Sequence, residues 1–297
     1  MSAHSHLKTP ATANVRRIES PTRLALRRLQ RKKAAMLSLS VLSILIAVSI
    51  LAPFLAPYDP LEMGTGGSFS APDPAHPFGT DLFGRDILSR TIFGAQISLA
   101  VGFSAVLFAS VLGVTLGLIA GYAGGWLDMI IMRAMDMLLA FPGIFLALGI
   151  VALLGPDLRN AVLAVGISHI PTYTRTVRGC VLSAKENLYV DAARVTGCGT
   201  LRIVTLHILP NVFAPVIILA TLGVAWAILN ISALSFLGLG VQPPTPEWGL
   251  MLSEGRGYLR QAWWVTTFPG LAIMITVMAV NRFGDGLRDA FDPRLKV

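Results

Sequence analysis

Charge is what this sequence has least of. Asp, Glu, Lys and Arg make up only 13% of its 297 residues, against 54% apolar residues, whereas a soluble domain carries about 25% charged residues. That deficit excludes a chain built mainly of water-soluble domains, and a mean hydropathy of +0.67 places most of it in lipid. Cysteine is nearly missing. Cys180 and Cys198 are too few for a disulfide framework, and both read as unreactive side chains. No G-K-[ST] run occurs anywhere, so there is no phosphate cradle of the Walker A kind and the chain is not expected to hydrolyse ATP. No Ser/His/Asp arrangement and no zinc-ligand spacing is evident, and His76 lacks an acid or cysteine at metal spacing. No catalytic residue, metal or directly bound cofactor is therefore expected, and a membrane enzyme would lack paired catalytic groups.

What is present is a series of uncharged apolar runs, each near the roughly 20 residues needed to cross a bilayer. They fall at about 34–56, 95–120, 128–151, 158–176, 212–238 and 263–282. The expected fold is an all-α membrane protein with six transmembrane helices. Its segments are a basic cytoplasmic stretch 1–33, a first crossing helix 34–56, an external loop 57–94, a five-helix core 95–282 and a cytoplasmic tail 283–297. The run from Ala34 to Leu55 exceeds a signal-peptide core and is read as a retained anchor. Pro142 and Pro171 lie inside spans, which lipid-embedded helices tolerate. Gly102, Ala105, Ala109, Gly113 and Gly117 keep one face of the second span flat for close packing. In the third span Arg133 and Asp136 are three residues apart, hence neighbours on a helix. They form either a self-neutralising pair or a substrate contact. His169 in the fourth span is either a packing residue or a polar contact.

Orientation follows from the positive charges. Segments 1–33, 177–211 and 283–297 hold nine, four and three Lys/Arg, and the loops 57–94, 152–157 and 239–262 hold two, none and two. The rich side faces the cytoplasm, so both termini and both cysteines are expected there. The net charge of +8 thus marks one membrane face and not a nucleic-acid partner. Residues 1–20 read as disordered. From Arg23 to Lys33 a basic helix would place Arg23, Arg27 and Arg31 on one side, beside anionic lipid headgroups.

The stretch "ENLYVDAARVTGCGTLRIVTLHILPN", residues 186–211, is polar and helical in rhythm inside an oily chain. Its glycines suit a helix end and a turn, Thr200 suits an N-cap, and Pro210 suits the first turn of the following span. Two short helices with a tight joint would pass a force on to the neighbouring spans; the plainer reading is a surface loop with incidental helicity. On the outer side, "VQPPTPEWG" holds Pro243, Pro244 and Pro246, which stiffen the backbone before Glu247 and Trp248. It reads either as a rigid edge for an external gate or binding protein, or as a stiff turn with Trp248 at the lipid interface. Trp263 and Trp264 read as an interfacial belt.

Asp191, Ala192 and Ala193, then Gly197, then Leu209 and Pro210 resemble the E-A-A loop of the membrane subunits of ATP-binding-cassette importers, with spacing that agrees throughout. Asp191 stands where Glu is usual and His207 where Ile is usual, with Ile208 beside it. "HPFGTDLFGRDILSR" (76–90), "GYAGGWLD" (121–128), "LLAFPG" (138–143), "SFLGLGVQPPTPEWGLML" (235–252) and "GDGLRDAFDP" (284–293) resemble segments of the dipeptide, oligopeptide and nickel importer group. The resemblance runs from about residue 20 to the end and is nearest to a C-type membrane subunit. It implies a type I ABC importer permease fold and an ATP-driven peptide importer in a bacterial inner membrane. It also implies four kinds of partner: a B-type permease subunit, two ATPase subunits that use ATP and Mg, an extracytoplasmic solute-binding protein, and lipid. Asp191, Ala192, Ala193, Arg194, Gly197, Leu209 and Pro210 would then contact the ATPase. Relatives in this group also carry glutathione-like peptides or nickel chelates. A proton-coupled secondary carrier using Asp136 and a non-transporting anchor protein are the readings from outside the group.

Overall fold

The computed structural model describes residues 27–291. The readings for residues 1–20, for Arg23 and for the end of the C-terminal tail lie outside them. Among the described residues the chain is helical without a strand; an isolated antiparallel bridge joins Thr80 to Asp86. Among the described residues nine helices organise the fold: α1 (Lys33–Ile50), α2 (Ile87–Ala123), α3 (Gly125–Leu139), α4 (Gly143–Leu154), α5 (Leu158–Lys185), α6 (Leu188–Val195), α7 (Leu209–Phe236), α8 (Trp248–Gly255) and α9 (Trp264–Phe291). Short turns of helix at Ala52–Leu55, Thr200–Arg202 and Arg256–Tyr258 connect them.

Among the described residues four helical stretches are long and apolar enough to cross a membrane: Lys33–Ile50, Ile87–Ala123, Thr200–Phe236 and Trp264–Phe291. The expected third span is not one rod. It breaks between α3 and α4 with a bend of 89°. Pro142 has no N–H for the ladder and biases Phe141 away from helical geometry, so α3 stops at Leu139 and Pro142 becomes the residue that starts α4. The expected fourth span is a 28-residue helix, α5, about 42 Å long. It is long enough to cross but too polar to be counted on composition. Protein, not lipid, covers much of it: Ala161, Ala164, Val165, Tyr173, Val177 and Val181 are buried.

The second span begins eight residues before the expected position. Asp86 caps α2 by accepting from the Ser89 backbone N–H at 2.7 Å, so Ser89, Arg90 and Thr91 belong to the helix and not to the loop.

α2 is the centre of the bundle and packs along α5, α7, α1 and α3. Its seam with α5 is built on glycines four residues apart. Gly113 seats Tyr173, Gly117 seats Val177 and Gly121 seats Val181, each so closely that a methyl group at the glycine would collide. The small-residue face seen in the sequence is therefore a helix-packing face. At one end of the bundle lies α6. At the other, residues 57–86 fold over α8 and the start of α9.

Candidate functional site

Residues 186–211 form a short, well-anchored structure at the α5 end. Lys185 donates from Nζ to the carbonyl oxygens of Gly121 (3.3 Å) and Tyr122 (2.9 Å), satisfying the end of α2. Beside it Arg178 grips Asp128 of α3 with two hydrogen bonds of 2.5 and 2.6 Å. Val190 and Ala193 turn inward and join Val177, Val181, Ile203, Ile208 and Val212 in one buried cluster. The other side of α6 faces away from the protein. Leu188 is 85% exposed, Val195 88% and Leu201 77%, an apolar surface that no described residue covers. Asp191 and Arg194 sit among them as an ion pair of 3.2 Å, and Ala192 is exposed.

Gly197 ends α6 at φ +81°, a conformation that favours glycine, and the Cys198 N–H returns to the Ala193 carbonyl at 3.0 Å. The glycine turn thus lies where the sequence indicated. Three expectations change. Ala193 is buried and holds α6 onto the bundle, because the second alanine of the motif falls on the inner face; the outward set is Asp191, Ala192, Arg194 and Gly197. Thr200 is not the N-cap: Gly199 takes that place without a side-chain bond. The second helix of the loop is not separate either. Ile203–Ile208 form a π-helical turn that runs into α7, with the Leu209 N–H reaching back to Val204. Pro210 supplies no N–H to the next rung, so the wider turn absorbs the missing donor. His207 is half-buried, Ile208 takes the fully buried place beside it, and Pro210 is exposed.

On the opposite end, Pro243 and Pro244 are exposed, but Glu247 and Trp248 are not. Both are buried, which corrects the expectation of an outward-presented pair or of an interfacial Trp248. Glu247 is the cap of α8. Its carboxylate accepts from the backbone N–H groups of Gly249 (2.9 Å) and Leu250 (2.8 Å) and from the Ser98 hydroxyl (3.1 Å). Burial pushes this carboxyl above its ordinary range, against the opposing pull of those N–H groups and of the Ser235 and Ser98 hydroxyls. The Trp248 ring seats on Gly94 and donates from Nε1 to the Thr91 carbonyl at 2.9 Å. Of the next two tryptophans only Trp263 is exposed; Trp264 is buried and donates to the Thr80 carbonyl at 3.0 Å.

Sequence reasoning missed the charged cluster beneath this end. Arg85 bonds Asp81 at 2.5 Å, and Arg90 bonds Glu254 at 2.9 Å, with both arginines buried. His76 does have an acid partner: the fold brings Asp86 to 3.0 Å from its Nδ1, across ten residues that follow no metal spacing. Among the described residues no group of three or more His, Cys, Asp or Glu is placed to hold a metal. The density of Asp and Arg in residues 81–90 was the available signal.

The expected Arg133–Asp136 pair does not form. Asp136 pairs with Arg175, reaching from α3 to α5. A guanidinium on the facing helix reaches the carboxylate with one of its N–H groups. Arg133 lies elsewhere on the exposed surface of α3. His169 is a packing residue, stacked on Trp226 at 4.3 Å.

Known proteins resemble this chain along nearly its whole length. Residues 113–297 match the family described as the binding-protein-dependent transport system inner membrane component, and residues 20–72 match the N-terminal transmembrane domain of oligopeptide transport permease C. A dipeptide transport system permease protein of Alkalihalophilus pseudofirmus is 48% identical over 277 residues, 93% of this chain and 91% of the relative. A di/tripeptide transport system permease protein of Pseudomonas aeruginosa is 46% identical, covering 89% of each chain. A glutathione transport system permease protein of Pectobacterium atrosepticum is 44% identical, over 94% of this chain and 93% of the relative. Among solved structures, a chain of the inward-facing MetNI methionine ABC transporter superposes with a TM-score of 0.52 at 18% identity, covering 69% of this chain and 96% of that one. That likeness concerns the fold, which is the type I ABC importer permease fold.

Proposed function

This chain belongs to the family of binding-protein-dependent transport inner-membrane components, and we propose that it is the C-type permease subunit of an ATP-driven importer of short peptides. It is a multi-pass inner-membrane protein that works with other transporter subunits. The relatives named for dipeptides and di/tripeptides support the peptide reading. The relative named for glutathione, itself a peptide, supports a second reading within the same chemistry.

The observation that carries the mechanism is the outward apolar face of α6. Leu188 and Val195 flank the Asp191–Arg194 pair on an element whose other side is locked to α5 and α7, and Leu201 is exposed on the turn that follows. Such a patch fits a groove on a partner protein. We assign it to an ATPase subunit on the cytoplasmic side, which places both termini there and the residue 57–86 loop outside. The chain itself transmits work and does not hydrolyse ATP; ATP and Mg bind two partner ATPases. A B-type permease completes the path, and an extracytoplasmic binding protein delivers cargo to the outer end, where Pro243 and Pro244 are exposed. ATP-driven closure of the ATPases would shift the bundle between two states through α6. Asp136 is neutralised by Arg175, which speaks against a lone proton relay and hence against the secondary carrier.

The test is the complete importer in proteoliposomes. Asp191→Arg and Val195→Asp are each expected to cut both peptide uptake and binding-protein-stimulated ATPase activity at least tenfold, with the chain still folded in the membrane. Wild-type rates in both variants would remove α6 as the coupling element.

A further inference from the structure

The open face of α5 is polar where a lipid-facing helix is apolar. His169, Thr172, Arg175, Thr176 and Gly179 fall within a sector of about 120°, and all are partly or fully exposed. The opposite side of α5 is the one sunk on the glycines of α2. Asp136 reaches this face from α3 and pairs with Arg175, each side chain keeping about half its surface, 47% and 50%. Asp136 lies eight residues beyond Asp128, about 12 Å further along α3 from the α6 end. Hydrocarbon does not accept a half-open ion pair, while a water-filled passage does. Just beyond, His169 and Trp226 stack at 4.3 Å and extend the same face.

Resting on the peptide-permease reading, we propose that this face is a wall of the translocation path, and that Asp136 and Arg175 form a charge gate that opens onto the two termini of the passing peptide. The peptide's ammonium group meets Asp136, and its carboxylate meets the guanidinium of Arg175, which binds a carboxylate through two N–H groups. One ion pair is exchanged for two, and the total charge inside the membrane stays zero. No buried charge is left alone at any stage. Every unblocked peptide carries both termini, so the gate passes peptides without reading their side chains, and the flat aromatic surface of Trp226 suits side chains of any shape.

The importer, assembled with its partner subunits in proteoliposomes, tests this with an unblocked dipeptide presented on its binding protein. Asp136→Asn and Arg175→Gln are expected to lower ATP-driven uptake at least tenfold while binding-protein-stimulated ATPase activity stays within twofold of wild type. Arg175→Lys, which keeps the charge, is expected to recover most of the uptake. Uptake within twofold of wild type in Asp136→Asn or Arg175→Gln, or ATPase activity falling in parallel with uptake, overturns the gate. Should those variants fail to assemble, Thr172→Cys in a chain with Cys180→Ser and Cys198→Ser decides the wall. A charged, membrane-impermeant thiol reagent is expected to label it in the complex; labelling only by a lipid-soluble reagent places α5 against lipid and overturns the proposal. A wild-type importer that moves no peptide at all refutes the peptide reading instead, and the labelling result stands apart from it.

Discussion

Replacing Gly117 by alanine adds one methyl group where the α2–α5 seam has no room. An ideal Cβ at Gly117 lies 2.7 Å from the Thr174 carbonyl oxygen and 2.7 Å from Val177 Cβ. Ordinary contact begins at 3.4 Å, so the shortfall is about 0.7 Å. Neither obstacle is the tip of a flexible side chain. One is backbone, the other the first atom of a β-branched residue with restricted rotamers, so the helices themselves must separate. Gly113 and Gly121 make the same seats one turn to either side, and any separation at Gly117 opens both. Overpacking of this kind costs about 1–3 kcal/mol, a change of about 5- to 150-fold in the folded-to-unfolded ratio. Gly149 in α4 is the control, because nothing lies within 4 Å of its added Cβ. There alanine is expected to be neutral or to stabilise by up to about 1 kcal/mol through helix propensity. Reversible unfolding of the purified chain in lipid–detergent micelles measures both. Equal effects at the two sites, or a Gly117→Ala chain as stable as wild type, would refute the packing argument.

Glu247→Ala strips the acceptor from two buried N–H groups and from the Ser98 hydroxyl; a loss of about 1–3 kcal/mol is expected in the same unfolding assay. The same carboxyl gives a pH signature. Its folded pKa is raised above the ordinary 4.5, so the native state holds the proton that the unfolded state releases, and stability falls as pH rises from about 4.5 through the folded value; Glu247→Gln is expected to flatten that slope. Arg178→Lys reduces the two-bond grip on Asp128 to a single contact, and since this pair is partly open to solvent the unfolding free energy is expected to drop by less than about 1 kcal/mol, clearly less than for Gly117→Ala.

Helices that meet lipid announce themselves in sequence, because lipid demands a long uncharged run. The cores of α1, α2, α7 and α9 were legible for that reason. α5 was faint because protein covers one side, where glycine, serine and threonine are as acceptable as leucine, and because its open side carries His169, Thr172, Arg175 and Thr176. The start of α2 was hidden by Arg90, whose charge is answered by Glu254, 164 residues away in the chain. Spacing made Arg133 the natural partner of Asp136, yet the rule of three and four residues sees only one helix, and Arg175 approaches from another. The prolines at 243–246 marked a turn, but a turn does not say which way the next residue points. An acid directly before an apolar helix was the readable cap signal at Glu247. In residues 186–211 the motif fixed the place of α6 and its glycine stop; only the burial of Ala193 and the π turn before Pro210 needed coordinates, since both depend on what the loop rests against.

These contacts clamp the bundle at both of its ends, and a single break interrupts one of its spans. At the α6 end, Lys185 and Arg178 tie α5 to α2 and α3, and the helix from Ile203 to Phe236 continues without a gap from the loop into α7. At the opposite end, Trp248 on Thr91 and Arg90 on Glu254 bind α8 to α2, and Trp264 on Thr80 binds α9 to the 57–86 segment that leads into α2. A push on α6 thus enters α5 and α7 at once and finds α2 clamped at both ends, so these helices are expected to move as one body. The span that breaks is α3–α4, at Ala140–Pro142, and Asp136 stands one turn before the break. A change in that bend would move the end of α3 against α5 and so carry Asp136 away from Arg175. The joint best suited to yield under load is therefore next to the charged pair that would have to part for a peptide to pass.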